Sequence, residues 1–306
     1  MGLVEGETAG DPSSNRQWVR STLRSLSERL RGRASPPTVA RLLRAQGVSP
    51  RVNVKRFTGP PHPDRDKQFT YIAQQRAAFD NSGFPCISVD TKKKELIGNF
   101  KNPGCRWCKQ ADEVNAHDFP QQAQYRTVPY GLYDPRANHG YVTVGISGDT
   151  PQFAVDAARR WWRDVGCRQY PRAKEVLILA DAGGSNGCRP RMWKYQLQQW
   201  ANESGLTVTV SHFPQGASKW NPVEHRLFSQ ISRTWAGYPL RTLKLMLGMI
   251  RRTKTRTGLK VTAVLNRKKY ETGTKVTNQQ MKEVNLERRD ICPAWNYTIK
   301  PIRLKR

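Results

Sequence analysis

Residues 175–187 of the 306-residue chain read EVLILADAGGSNG: five consecutive apolar residues, an aspartate and a glycine-rich turn. A run this short and apolar is a candidate central strand, since strands covered on both faces are apolar at successive positions. A second such run, Cys86-Ile87-Ser88-Val89-Asp90, also ends on an aspartate. Between them, Val128–Tyr133 and Gly140–Ile146 flank the turn sequence DPRANH and read as a hairpin. Asp149-Thr150-Pro151 opens a helix with Phe153, Ala154, Ala157, Ala158 and Trp161 on one side. A helix from about Arg191 to Glu203 stops at Gly205, Leu206–Val210 forms another strand, and a further helix starts near Asn221 and runs toward Trp235. Strand, hairpin, helix, strand, helix, strand, helix is an α/β order, a mixed sheet with helices on its faces.

Outward from this block, Gln68–Asn81 reads as a helix, and Gly59-Pro60-Pro61-His62-Pro63 as a stiff linker and domain boundary. Before it, Val19, Leu23, Leu26 and Leu30 mark one face of a helix over 16–31. Ser35 and Pro36 start a second helix that stops at Gly47. Eleven Lys/Arg and one acid between Asn15 and Pro60 make this pair a basic, helix-turn-helix-like segment (15–59), with Arg41 and Arg44 as candidate DNA contacts. A basic hairpin packed on the next domain is the alternative. Residues 1–14 read as a disordered leader, 60–250 as the main domain, and 251–306 as a basic C-terminal segment ordered in part through Trp295 and Tyr297.

Charge limits the function classes. Fifty-two Lys and Arg against twenty-four Asp and Glu give +28. Such a surplus strains a compact chain unless a polyanion offsets it, and nucleic acid rewards each cation by counterion release. Ribosomal and membrane-surface proteins share this property, so charge names a partner class and no activity. Nothing approaches the roughly eighteen apolar residues of a membrane span, and residues 1–12 lack a signal peptide's apolar stretch, so a cytoplasmic protein is expected. Cys105-x-x-Cys108 with His117 downstream has half of a zinc site's spacing, and incidental cysteines in a loop is the better reading.

In so basic a chain the acids at strand ends stand out. Asp90 and Asp181 emerge at the carboxyl edge of neighbouring strands, where open α/β sheets place their sites. Unpaired carboxylates are costly there without a cation, and Mg2+ suits oxygen ligands and phosphate. The alternative reading is that each aspartate simply ends its strand or caps the next turn; Glu224, in Asn221-Pro222-Val223-Glu224, fits the third helical position of a capping box. Other acids look structural, with Asp134 in a turn and Asp149 capping a helix.

The blocks ISVDTKKKELIGNFKN (87–102), HDFP (117–120), ADAGGSNG (180–187), SKWNPVEHRLFSQIS (218–232), RTGLKV (256–261) and WNYTI (295–299) resemble the Rhodopirellula-type transposase DDE domain of bacterial insertion sequences. The resemblance runs from about Ser14 to Pro301. It implies an RNase H-like fold, a five-stranded mixed sheet with helices, and places the three catalytic, metal-holding acids on Asp90, Asp181 and Glu224. It further implies Mg2+ (or Mn2+), two ions, cleavage at a transposon end and transfer of the freed 3′-hydroxyl to target DNA. Double-stranded DNA and a homo-oligomer on paired ends are the expected partners, with the protein associated with the nucleoid. Lys92, Lys93, Lys94 and Lys219 are candidate DNA contacts. Trp220 reads better as a core residue than as a base-stacking one. Met1 stands close to the helix pair, where such transposases carry more sequence for end recognition, so a truncated or internal start is expected. An RNase H-like nuclease or resolvase, or a domesticated DNA-binding protein, are the alternatives.

Overall fold

The computed structural model describes residues 8–10, 17–19, 21–50 and 62–302. The chain divides into two compact units, Met1–Thr58 and Gly59–Arg306. In the first unit, β1 (Thr8–Gly10), within the stretch read as a leader, pairs antiparallel with β2 (Gln17–Val19). The rest of residues 1–14 and most of the linker lie outside the described residues. α1 (Leu23–Arg29) starts later than the spacing from residue 16 suggests, because Thr22 caps it by accepting from Ser25 N at 3.1 Å. α2 (Pro36–Ala45) starts where expected, with Ser35 accepting from Thr38 N and Pro36 in the first turn.

The second unit opens with α3 (Arg65–Ser82), stopped by Gly83 in the left-handed conformation. β3 (Cys86–Thr91), β4 (Glu95–Ile97), β5 (Tyr125–Asp134) and β6 (His139–Gly145) follow. α4 (Pro151–Trp161) passes through a π-helical turn, Trp162–Gly166, into α5 (Cys167–Gln169). Then come β7 (Glu175–Asp181), α6 (Arg191–Ser204) and β8 (Thr207–Phe213). A π-helical segment, Val223–Phe228, runs straight into α7 (Ser229–Thr234), and α8 (Leu243–Arg252) follows. The chain ends with β9 (Lys260–Asn266), α9 (Asn278–Lys282), β10 (Leu286–Arg288) and β11 (Asn296–Ile299).

These strands form one mixed sheet in the order β10-β11-β8-β7-β3-β5-β6-β9, with β4 on β5. Its centre, β6-β5-β3-β7-β8, is the five-stranded RNase H-like arrangement. β5 runs antiparallel to β3 and β6, and β3, β7 and β8 are parallel. The sheet is wider than five strands because residues after 250 extend both ends: β9 lies parallel to β6, and β11 antiparallel to β8. The C-terminal stretch read as a separate basic segment is therefore part of this unit.

Helices cover both faces. Val176, Ile178 and Ala180 of β7 join the core under α4 and α6, while Leu177 and Leu179 face Ile72 and Phe79 of α3. Burial on both sides explains why this strand is apolar at successive positions. Gln68 of α3, fully buried, exchanges amide hydrogen bonds with Asn296 (2.8 and 2.6 Å) and donates to the His212 carbonyl at 2.9 Å, tying the helix to β8 and β11. The helix at 223–234 lies on the β5–β6 hairpin through Leu227 and Phe228. It sits so close that a Cβ at Gly131 would meet Phe228 at 2.4 Å, and one at Gly140 would meet Leu227 at 2.4 Å.

Gly131→Ala is therefore expected to lower unfolding stability by about 1–3 kcal/mol through overpacking. Gly183→Ala, whose Cβ meets nothing within 4 Å, is expected to be near neutral. Urea unfolding of both variants checks this, and equal midpoints would refute the close approach.

Candidate active site

β3 and β7 are parallel neighbours with Val89 opposite Ala180, so the next residues, Asp90 and Asp181, stand side by side where the two strands part. Glu224 arrives from the π-helical segment and shares a side-chain hydrogen bond with Asp90. All three carboxyls are pushed above the usual carboxylate range, first of all by burial. Asp90 reaches about 8, because the charges of Asp181 and Glu224 also oppose its ionisation. The Asn221 amide counteracts the shift of Asp181.

Asn221 is the residue whose role the local pattern conceals. It does not cap the helix with its side chain, and no side chain of the segment closes a capping box. Fully buried, its Nδ2 donates to Asp181 Oδ1 at 3.0 Å and to the Val89 carbonyl at 3.3 Å, and its Oδ1 accepts from the Ser88 hydroxyl. Ser88 Oγ accepts in turn from Val223 N at 3.0 Å. A strand hydroxyl thus satisfies one of the free N–H groups at the helix start, leaving Glu224 able to face the aspartates.

Asp181 is held from behind as well. The Nδ1 of buried His212 lies 3.0 Å from the Asp181 carbonyl, and its Nε2 lies 3.1 Å from the Tyr297 hydroxyl. Burial lowers the His212 pKa to about 4, so the ring is neutral, and a carbonyl only accepts. Nδ1 therefore carries the proton, and Nε2 accepts from Tyr297, whose oxygen takes the Trp193 indole N–H at 2.9 Å. The WNYTI block at the end of the chain acts on the site through this relay.

A cleft of about 600 Å³ opens over Asp90 and Asp181, lined also by Lys93, Lys94, Asp149 and Asn186. Asp149 is a fourth acid that the sequence disguised as a helix cap. Thr150 is the cap, accepting from Phe153 N at 3.2 Å, while Asp149 accepts from the Thr91 hydroxyl at 3.2 Å. The Nδ2 of Asn186 is buried without a partner among the described residues. Lys93 and Lys94 are exposed, but Lys92 is not. It borders the cleft but is buried in an ion pair with Glu95, 5.0 Å from the Trp235 ring centre, so its charge is already matched within the fold. Lys219 is exposed beside Trp220, and Arg41 and Arg44 are exposed on α2 of the first unit. Trp220 is 41% exposed rather than a core residue. Cys105 and Cys108 are exposed free thiols.

Among the described residues, no three His, Cys, Asp or Glu side chains close around a point as a formed metal site would. Asp90 and Glu224 instead lie within side-chain hydrogen-bond reach of each other, and burial and mutual charge favour the protonated form of both. In donor chemistry, three half-buried carboxylates whose charges oppose one another suit a hard divalent cation, whose charge would favour their ionised forms.

A family model described as Rhodopirellula transposase DDE domain matches residues 1–301. No curated protein matches the chain. Among solved structures, a Mos1 transposase paired-end complex with the left transposon end is 15% identical, with 73% of this chain and 63% of that one covered at a TM-score of 0.44. A Mos1 mariner paired-end complex with Mn gives 16%, 73%, 64% and 0.43. A Mos1 strand transfer complex gives 14%, 74%, 63% and 0.45. The chain thus spans less than two thirds of the length of these relatives.

The geometry yields two expectations. Asn221→Ala strands the Ser88 hydroxyl, the Val89 carbonyl and one Asp181 oxygen, and is expected to cost about 1–3 kcal/mol. Asn221→Asp, which sets a carboxylate against Asp181, should cost more. Urea unfolding ranks the two, and a milder Asn221→Asp would contradict the assigned contacts. The second concerns pH. A raised carboxyl pKa means that the native state binds protons the unfolded chain releases, so stability falls as pH rises from about 4 to about 8. Buried His212 acts oppositely, but only below its unfolded value of 6.5. Between pH 6.5 and 8 in EDTA the thermal midpoint is therefore expected to fall, and Asp90→Asn should flatten the fall. A midpoint constant across this window would count against the raised acids.

Proposed function

Since the chain belongs to the Rhodopirellula transposase DDE-domain family, a family of transposases, we propose that it cuts and joins DNA strands by phosphoryl transfer at Asp90, Asp181 and Glu224. One observation carries this reading: two carboxylates at the ends of adjacent parallel strands, met by a third from a helix start that a strand hydroxyl caps. Asp90, Asp181 and Glu224 would hold two divalent cations, Mg2+ or Mn2+. Bound there, such ions neutralise charge on the attacking and leaving oxygens of an in-line displacement at phosphorus.

This chain's own residues orient the acids and the substrate. Asn221 fixes the rotation of the Asp181 carboxylate, and His212 fixes the backbone that carries it. The Thr91 N–H donates to Asp90 at 2.7 Å, holding that carboxylate against the strand end. Lys93 and Lys94 at the lip would meet phosphate oxygens, and Asn186 would add an unused donor to the cleft. In the first unit, the basic helix pair with exposed Arg41 and Arg44 would read or grip the element's ends, on duplex DNA and in a homo-oligomer. No helix among the described residues is long and apolar enough to cross a membrane.

The test is a strand-transfer assay with Mg2+, using DNA that carries the sequences flanking the gene. Joined products are expected from the parent protein, and Asp181→Asn, Asp90→Asn and Glu224→Gln should each lose them by about 10³-fold or more. Cleavage without joining would reassign the protein as a nuclease. An Asp181→Asn variant as active as the parent would remove the site assignment.

A further inference from the structure

A groove of about 1360 Å³ borders the helix at 223–234, reaching from Lys219 and Trp220 to the turns at 135–138 and 254–257, with Arg76 of α3 on its wall. Six cations line it: Arg76, Lys219, Arg226, Arg233, Lys254 and Arg256. No carboxylate does. Among the described residues, none of the six enters an ion pair. A second basic hollow makes the contrast. There, Arg159 pairs with Asp156 at 2.7 Å and Glu203 at 2.9 Å, and Lys268 pairs with Asp156 at 2.9 Å. Where this fold gathers cations for its own stability, it sets acids among them.

Six unmatched cations around one groove repel one another, and that arrangement is stabilised by an extended polyanion from outside. Trp220 narrows the chemistry. It is 41% exposed, with the Lys219 ammonium 4.2 Å and the Arg65 guanidinium 4.9 Å from its ring centre. An exposed aromatic face framed by cations suits a sugar–phosphate backbone, the ring packing on a deoxyribose while the cations meet phosphates. The groove also adjoins the acids. Pro222, His225 and Arg226 line it, while Glu224, between them in sequence, reaches Asp90.

We propose that this groove is a second DNA-contact surface, which grips the phosphate backbone of the duplex leading away from the reacting phosphate. The proposal rests on DNA being the substrate, and its binding test does not depend on which acids are catalytic.

The experiment is a fluorescence-anisotropy titration of a labelled DNA duplex of arbitrary sequence, over a salt series in EDTA, where no strand is cut. The parent is compared with Arg226→Gln/Arg233→Gln/Arg256→Gln. A charge-matched control is Arg172→Gln/Lys174→Gln/Lys282→Gln, at exposed positions outside the groove. Loss of three phosphate contacts should reduce the slope of log affinity against log salt by about 2–3 units. The control should change it by less than about 1 unit. A parental slope in the groove variant, or an equal loss in the control, would overturn the proposal. Circular dichroism melting verifies folding. If the helix substitutions unfold the protein, Lys254→Gln/Arg256→Gln in the exposed turn replaces them, with an expected loss of about 2 units, and a parental slope there overturns the proposal equally. Because catalysis is silent in EDTA, an unchanged slope refutes the groove alone, and inactivity in the strand-transfer assay refutes the catalytic reading alone.

Discussion

The side-chain amide of Asn221 is shared among three parts of the fold at once. Its nitrogen serves Asp181 on β7 and the backbone of β3, and its oxygen takes the Ser88 hydroxyl proton. Ser88 has to receive the Val223 N–H, so its own proton can only go outward, and the amide cannot turn over without placing two acceptors face to face. A buried amide with all its partners assigned is rigid, because every alternative orientation leaves a polar group unsatisfied in a dry interior. The consequence is an asymmetry between the aspartates. Asp181 receives a fixed donor that favours its charged form, whereas the large upward shift falls on Asp90, which faces the charges of both Asp181 and Glu224.

How much of this was legible in the chain follows from which interactions are local. Asp90 and Asp181 could be placed at strand ends because apolar runs announce buried strands, and parallel pairing then makes their ends neighbours. Glu224 could not, because Asn-Pro-Val-Glu is a well-formed helix start and nothing local reveals that the asparagine looks across to the strands. The residue that satisfies the helix is Ser88, far away in sequence. Resemblance to a known family, not the local pattern, singled out the glutamate. Asp149 failed for the converse reason: Thr150 took the capping role for which the aspartate seemed chosen. Lys92 stood in a run of three lysines that looks uniform on paper, yet Glu95 and Trp235 bury the first of them.

The sheet's outer strands were harder to read. The expected five strands are the centre of the sheet, and the last part of the chain, which looked mainly like basic surface, supplies β9 beyond β6 and β10–β11 beyond β8. β10 is three residues long with Glu287 and Arg288 exposed, and β9, KVTAVLN, is an apolar run that only its pairing with β6 identifies as an edge strand. Burial returns at β11, where Tyr297 sits between Trp193 and His212. That hydroxyl gives the WNYTI block a physical reason: it holds the neutral imidazole that supports Asp181 from behind.

The helical segment at 223–228 then accounts for the distribution of charge around the site. Its first turns are π-helical, with the Ser229 N–H reaching back to the Glu224 carbonyl, a wide turn of the kind that recurs at functional sites. Val223, Leu227 and Phe228 point into the core. The last two settle on backbone left bare by Gly140 and Gly131, which sets how deeply the segment sinks onto the hairpin. With that face committed, the remaining positions divide by sign. Glu224 turns to the buried acids, and His225 and Arg226 turn out to the basic groove. Two glycines and a buried amide therefore fix one short segment so that it presents a carboxylate to the candidate metal site and a cation to the neighbouring groove, and a shift of that segment would disturb both.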